Sequence, residues 1–123
     1  MKSGFYLEMY GTIFTDCFIE RSRYANGNLR LSLYGRDANN NFEMAHFADI
    51  TVENNKIKLS DNEIIVNNCS EPTLITQLKE LGIIKEIVSR CIIKDTFYPI
   101  YSINYYEVLA HSHSYYKEKL MAV

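Results

Sequence analysis

Four of the chain's five arginines, Arg21, Arg23, Arg30 and Arg36, fall between positions 21 and 36, interleaved with Tyr24, Asn26, Asn28 and Tyr34. Side chains of these types can together hold an anionic, aromatic ligand such as a nucleotide. Guanidinium groups fix phosphates through charge-assisted, often bidentate hydrogen bonds. Aromatic faces stack on a base or on a cation, and asparagine reads base edges or ribose hydroxyls. Asn26-Gly27 lies between two runs of alternating polarity, the strongest short-range hairpin signal, because a two-residue turn needs positive φ at both central positions. With those two residues as the loop, Ala25 faces Asn28, and the pairing runs back through Tyr24 with Leu29, Arg23 with Arg30, Arg21 with Ser32 and Ile19 with Tyr34. One face then carries Tyr24, Leu29, Leu31 and Leu33, and the other Arg21, Arg23, Arg30, Ser32 and Tyr34. Like charges directly opposite on a sheet cost a few tenths to about 1 kcal/mol, so Arg23 across from Arg30 calls for solvent, a carboxylate or an anionic ligand. The candidate site is therefore Arg21, Arg23 and Arg30 for phosphate, with Asn26, Asn28 and Tyr34 for the rest of a ligand. A plain alternative stands beside it: a solvated hairpin face, with both asparagines as turn formers and Tyr34 as a sheet surface residue.

The whole chain bounds that site. With 123 residues, 47% of them apolar, it fits a single domain over 1–123 with a real core. Its formal charge of −2 and pI near 5.9 lack the basic field of a module that grips a nucleic-acid backbone. Clustered arginines in a net acidic chain suit a local site for a compact anion. Cys17, Cys69 and Cys91 are odd in number and lack metal-ligand spacing, which reads as reduced thiols of a cytoplasmic protein. Glu8 stands where a signal peptide needs an apolar run, and no segment approaches the roughly 18 apolar residues of a membrane span.

The elements expected to position the arginines are mostly strands. Polarity alternates from Phe5 to Met9 and, after Gly11, from Ile13 to Arg23. Gly35 to Asn41 reads as a polar loop, Phe42 to Glu53 as a strand, Asn54-Asn55 as a turn, and Glu63 to Val66 as a short strand. Ser70, Glu71 and Pro72 open a helix over 71–81, with Leu74, Leu78 and Leu81 as its buried stripe and Gly82 as its C-cap. Ile83 to Ile93 fits both periods, and is read as a short helical end, a loop and a strand. Thr96 to Ile103 is β-like, with Pro99 at a sheet edge or a bulge. Asn104, with Glu107 three residues on, opens a last helix over 104–120, whose stripe is Tyr105, Leu109, Tyr116 and Leu120. The fold class is α+β: a twisted, mainly antiparallel sheet with two principal helices.

Catalysis has no positive support in the residue pattern. His111 and His113 are two apart, about 200° around a helix, so they do not chelate one ion there. No Walker loop, glycine fingerprint, nucleophile elbow or paired Cys/His spacing occurs. Asp16 and Glu20 have the spacing of an acid/base pair, but neutralising the nearby arginines is the simpler role. Neither a cofactor nor a metal is expected.

The order of motifs also carries a resemblance. Tyr24-Ala-Asn-Gly-Asn-Leu-Arg-Leu-Ser-Leu-Tyr34, Ala48-Asp-Ile-Thr-Val52, the Leu74 to Gly82 helix and Tyr98-Pro99 follow one another as in small proteins of phages and prophages. Within that neighbourhood, over residues 5 to 104, the chain resembles the Thoeris anti-defence sponges. Those proteins bind and hide a cyclic ADP-ribose isomer that a bacterial TIR enzyme makes as an alarm signal. The resemblance implies a non-catalytic binder in the host bacterial cytoplasm, with a cyclic nucleotide as partner and neither nucleic acid nor membrane. A protein-targeting inhibitor of a host nuclease or CRISPR effector is the alternative; it predicts clustered acids, and here they are scattered. A homodimer or higher homo-oligomer is expected from the edge-like stretch Tyr98 to Tyr101 and the tyrosine-rich last helix.

Overall fold

Nine elements follow one another in the computed structural model, which describes residues 4–68 and 72–112. They are β1 (Phe5–Met9), β2 (Thr12–Arg23), β3 (Leu29–Asp37), β4 (Met44–Asp49), β5 (Glu63–Ile65), α1 (Pro72–Glu80), β6 (Ile84–Ile93), β7 (Thr96–Ile103) and α2 (Tyr105–Ala110). All ladders are antiparallel, in two sheets ordered β1-β2-β3-β4 and β5-β7-β6, so the architecture is α+β as the sequence pattern implies. Among the described residues no helix is long and apolar enough to cross a membrane.

The core lies between the sheets. Leu7 and Ile19, with Leu29, Leu31 and Leu33, meet Ile64, Ile84, Tyr101 and Ile103 there, and Leu74 and Leu78 of α1 close one side. Ile50, Thr51 and Val52 tie the two sheets together: Ile50 N–H donates to Leu31 O, while Val52 N–H donates to Ile65 O. Asn67 N–H returns to Ile50 O, so this segment is bonded on both sides. Every backbone group of such a buried crossing must be paired, and that requirement fixes its path.

Several expectations change in tertiary context. Tight turns with positive φ at both central residues do occur, at Tyr10-Gly11 and at Lys94-Asp95. Asn26-Gly27 does not form one. Ile84–Ile93 is one strand rather than a helical end and a loop, because pairing with β7 captures residues whose periodicity was ambiguous. β7 is the central strand of its sheet, so Ile100 and Tyr101 are buried and the edge expected at Tyr98 to Tyr101 is absent. Pro99 sits just past the end of β5 and beside an irregularity of β6, where its missing N–H costs least. Asn104 does cap α2, its Oδ1 accepting from Tyr106 N–H at 3.1 Å, but the helix ends at Ala110, not near 120. His111 leaves the helical path there, and its carbonyl accepts from Ile19 N–H, joining the chain to β2. Cys69, Ser70, Glu71 and the expected helical residues from 113 on lie outside the described residues.

Candidate functional site

The β2–β3 hairpin closes with a three-residue loop, Ala25, Asn26 and Gly27. Tyr24 N–H donates to Asn28 O at 2.9 Å, and Gly27 N–H to Tyr24 O at 2.9 Å. Gly27 adopts φ +91°, which a side chain would strain. The pairing is therefore Arg23 with Leu29, Arg21 with Leu31, Ile19 with Leu33 and Phe18 with Tyr34, one residue away from the register of a two-residue loop. A one-residue slip moves every side chain of one strand to the other face. Arg21 and Arg23 thus lie on the side of Leu29 and Leu31, and Arg30 lies on the opposite side. The face that Arg21, Arg23 and Arg30 were expected to share does not form. The physical reason is Ile19, fully buried beside Leu33, a place where the other register would set Glu20.

The six expected site residues are dispersed accordingly. Asn26 Nδ2 donates to the carbonyls of Asn54 and Ile57, and its Oδ1 accepts from Asn28 N–H. Asn28 is buried, donates to Ile57 O at 2.7 Å and accepts from Leu59 N–H at 2.8 Å. Both asparagines fasten segment 54–59 to the hairpin tip. Arg21 Nη1 donates to the Tyr105 hydroxyl at 3.2 Å. Tyr34 stacks on Phe18 with centroids 5.4 Å apart and meets His46 edge-on. Among the described residues, Arg23 and Arg30 line one cavity together.

That cavity is a polar groove of about 450 Å³ beside the hairpin, lined by Arg23, Tyr24, Arg30, Asp49, Thr51 and Glu53, with Ala25, Val52 and Asn67 completing it. Its groups are held by contacts within the chain. The Tyr24 hydroxyl and Thr51 Oγ1 share a hydrogen bond of 2.9 Å, and Thr51 Oγ1 also accepts from Leu31 N–H, which fixes the ring. The Arg30 guanidinium lies over that ring, 5.6 Å from its centroid. Arg23 Nη1 donates to Asp61 Oδ1 at 2.7 Å and to Gly27 O at 3.0 Å, so its direction is set by an exposed ion pair with a residue outside the groove lining. Asp49 Oδ1 accepts from Ser32 Oγ at 2.9 Å and pairs with His46 Nε2 at 3.0 Å.

Electrostatics follow from these contacts. Partial burial pushes the Asp49 carboxyl up, but the hydrogen bonds from His46 and Ser32 outweigh it and hold the group below its ordinary range. Burial pushes the Tyr24 phenol up, so the hydroxyl keeps its proton. Asp16 pairs with Arg36 at 3.3 Å, the neutralising role its position suggested. Among the described residues no group of three His, Cys, Asp or Glu side chains is placed to hold a metal. A second cleft, of about 490 Å³, lies between α1 and β1, where His111 Nδ1 donates to Glu107 O at 2.7 Å and Phe5 meets its ring edge-on.

Sequence reasoning centred on the arginines missed Asp49, Thr51 and Glu53. The signal was present: Ala48, Asp49, Ile50, Thr51, Val52 and Glu53 alternate strictly, apolar with polar, which places the three polar residues on one side of an extended chain. Asn67, from a connecting loop, carries no such signal. Comparison of the chain with protein-family models, with curated proteins and with solved structures finds no match.

Proposed function

We propose that the protein binds and sequesters a cyclic ADP-ribose-type signalling nucleotide without degrading it, as a phage-type anti-defence protein that blocks a bacterial TIR-based immune system. The observation that supports this reading is the groove in which the Arg30 guanidinium is held over the Tyr24 ring and Arg23 is also present. A cyclic ADP-ribose isomer offers a pyrophosphate to the guanidiniums and an adenine to the aromatic face. The cavity volume of about 450 Å³ falls within the range of small-molecule sites. A sponge needs tight binding and slow release, and it returns its ligand unchanged.

The test is recovery. Protein incubated with a cyclic ADP-ribose isomer, then heated and cleared, should release the intact cyclic nucleotide, and the heated extract should activate the effector that the unheated mixture leaves silent. Linear ADP-ribose or AMP in excess over protein would show turnover and refute sequestration. Absence of any nucleotide binding would leave inhibition of a host nuclease or CRISPR effector by protein contact as the reading to pursue. Replacing both Arg23 and Arg30 by Gln should weaken binding by several kcal/mol, each charge-assisted contact contributing about 1.5–3 kcal/mol.

A further inference from the structure

Building on the nucleotide-binding reading, we infer that Asp49 is the group that reads the ligand's ribose hydroxyls, and that Ser32 and His46 are positioning residues that aim it. The groove is lined by two acidic residues, Asp49 and Glu53, as well as by Arg30 and Arg23. An ionised carboxylate only accepts hydrogen bonds, and so does a phosphate, so the acids cannot serve the part of the ligand that the arginines serve. They require donors. On a cyclic ADP-ribose isomer the donors are ribose hydroxyls and the adenine amino group, and adjacent hydroxyls suit a carboxylate, as acidic residues show in dinucleotide sites.

Asp49 is set apart from Glu53 by its support. Ser32 lies directly across the ladder from Asp49, and His46 three residues before it, and both engage the single oxygen Oδ1. Two contacts on one oxygen fix the rotamer and leave Oδ2 for the groove. Glu53 is exposed and carries no such fixing contact among the described residues. An unaimed carboxylate must be ordered when a ligand binds; an aimed one is already in place.

The experiment is calorimetric titration of the full chain with cyclic ADP-ribose, with analogues lacking one hydroxyl of either ribose, and with the hypoxanthine analogue, which lacks the amino group. The wild-type protein should bind one deoxy analogue about tenfold to a hundredfold more weakly than the parent, the range for leaving a charged acceptor unmatched. Asp49→Asn should bind parent and deoxy analogue within about threefold of each other. His46→Ala and Ser32→Ala should narrow the same ratio, and His46→Gln, which keeps a donor, should restore it; these variants also carry the test if Asp49→Asn does not fold. Glu53→Gln should keep the wild-type ratio. The inference is overturned if Asp49→Asn retains the wild-type ratio, if Glu53→Gln abolishes it, or if discrimination follows the amino group instead. Wild-type protein that binds the parent without discriminating any hydroxyl overturns this inference alone, and wild-type protein that binds none of the nucleotides overturns the functional reading beneath it.

Discussion

Asn28 shows how a residue suited to ligand recognition is instead consumed by the fold. Both ends of its amide are taken by Ile57 and Leu59, and the side chain is buried. Asn28→Ala should therefore lower stability by about 1–2 kcal/mol, because the part-buried Leu59 N–H loses its partner while the Ile57 carbonyl keeps Asn26. Urea denaturation followed by tyrosine fluorescence will measure it, since the chain has no Trp. Cys17 is a second case: burial pushes its thiol up to about 12 from an ordinary 9.0. The folded state therefore favours the neutral thiol, and that contribution is complete below pH 9 and fades as pH rises toward 12. The stability difference between wild type and Cys17→Ala should shrink above pH 9. Asp49 has the opposite sign. Its carboxyl is held below the ordinary 3.8, so its contribution is complete at neutral pH and is lost as pH falls below that value. Melting curves in acid should show a smaller loss for His46→Ala than for wild type.

At the scale of elements, the hairpin loop decides the chemistry of the groove. Deleting Ala25 would leave Asn26-Gly27 as a two-residue loop between Tyr24 and Asn28 and keep the observed pairing of Arg23 with Leu29 and of Ile19 with Leu33. The variant should still melt in one cooperative transition, with Ile19 buried as before and the loss confined to the Asn26 contacts at the tip. Gly27→Ala keeps the loop length and should cost only about 1 kcal/mol: it strains a positive φ, and the Cβ meets only the mobile end of Lys58.

At the scale of the molecule, the crossing at Ile50, Thr51 and Val52 joins the sheets, and two of these residues, Thr51 and Val52, also line the groove. Ile50 is buried to 1% exposure, and Ile50→Ala should cost about 2–5 kcal/mol through lost packing. Both sheets should unfold in a single transition, detectable as coincident circular dichroism and tyrosine fluorescence curves. Arg23→Gln combined with Arg30→Gln acts on the groove without touching this core, so its effect should appear in binding far more than in melting temperature. The other sheet leaves Ile87, Val88, Ile92 and Phe97 exposed along β6 and β7.

What the chain determined by itself was local: the α+β class, the α1 stripe of Leu74 and Leu78, the caps at Gly82 and Asn104, and the alternation from Ala48 to Glu53. Each follows from side-chain periodicity or from the backbone freedom of one residue. Only the tertiary structure decided the hairpin register, the strand nature of Ile84–Ile93, the central place of β7, and which two of the six candidates share a cavity. Those choices depend on partners distant in sequence. Ile19 is held beside Leu33 by the core behind it, and Asn26 and Asn28 are claimed by carbonyls and an amide some thirty residues away. Local propensity sets what a turn can be, and burial of the flanking strands selects which turn forms.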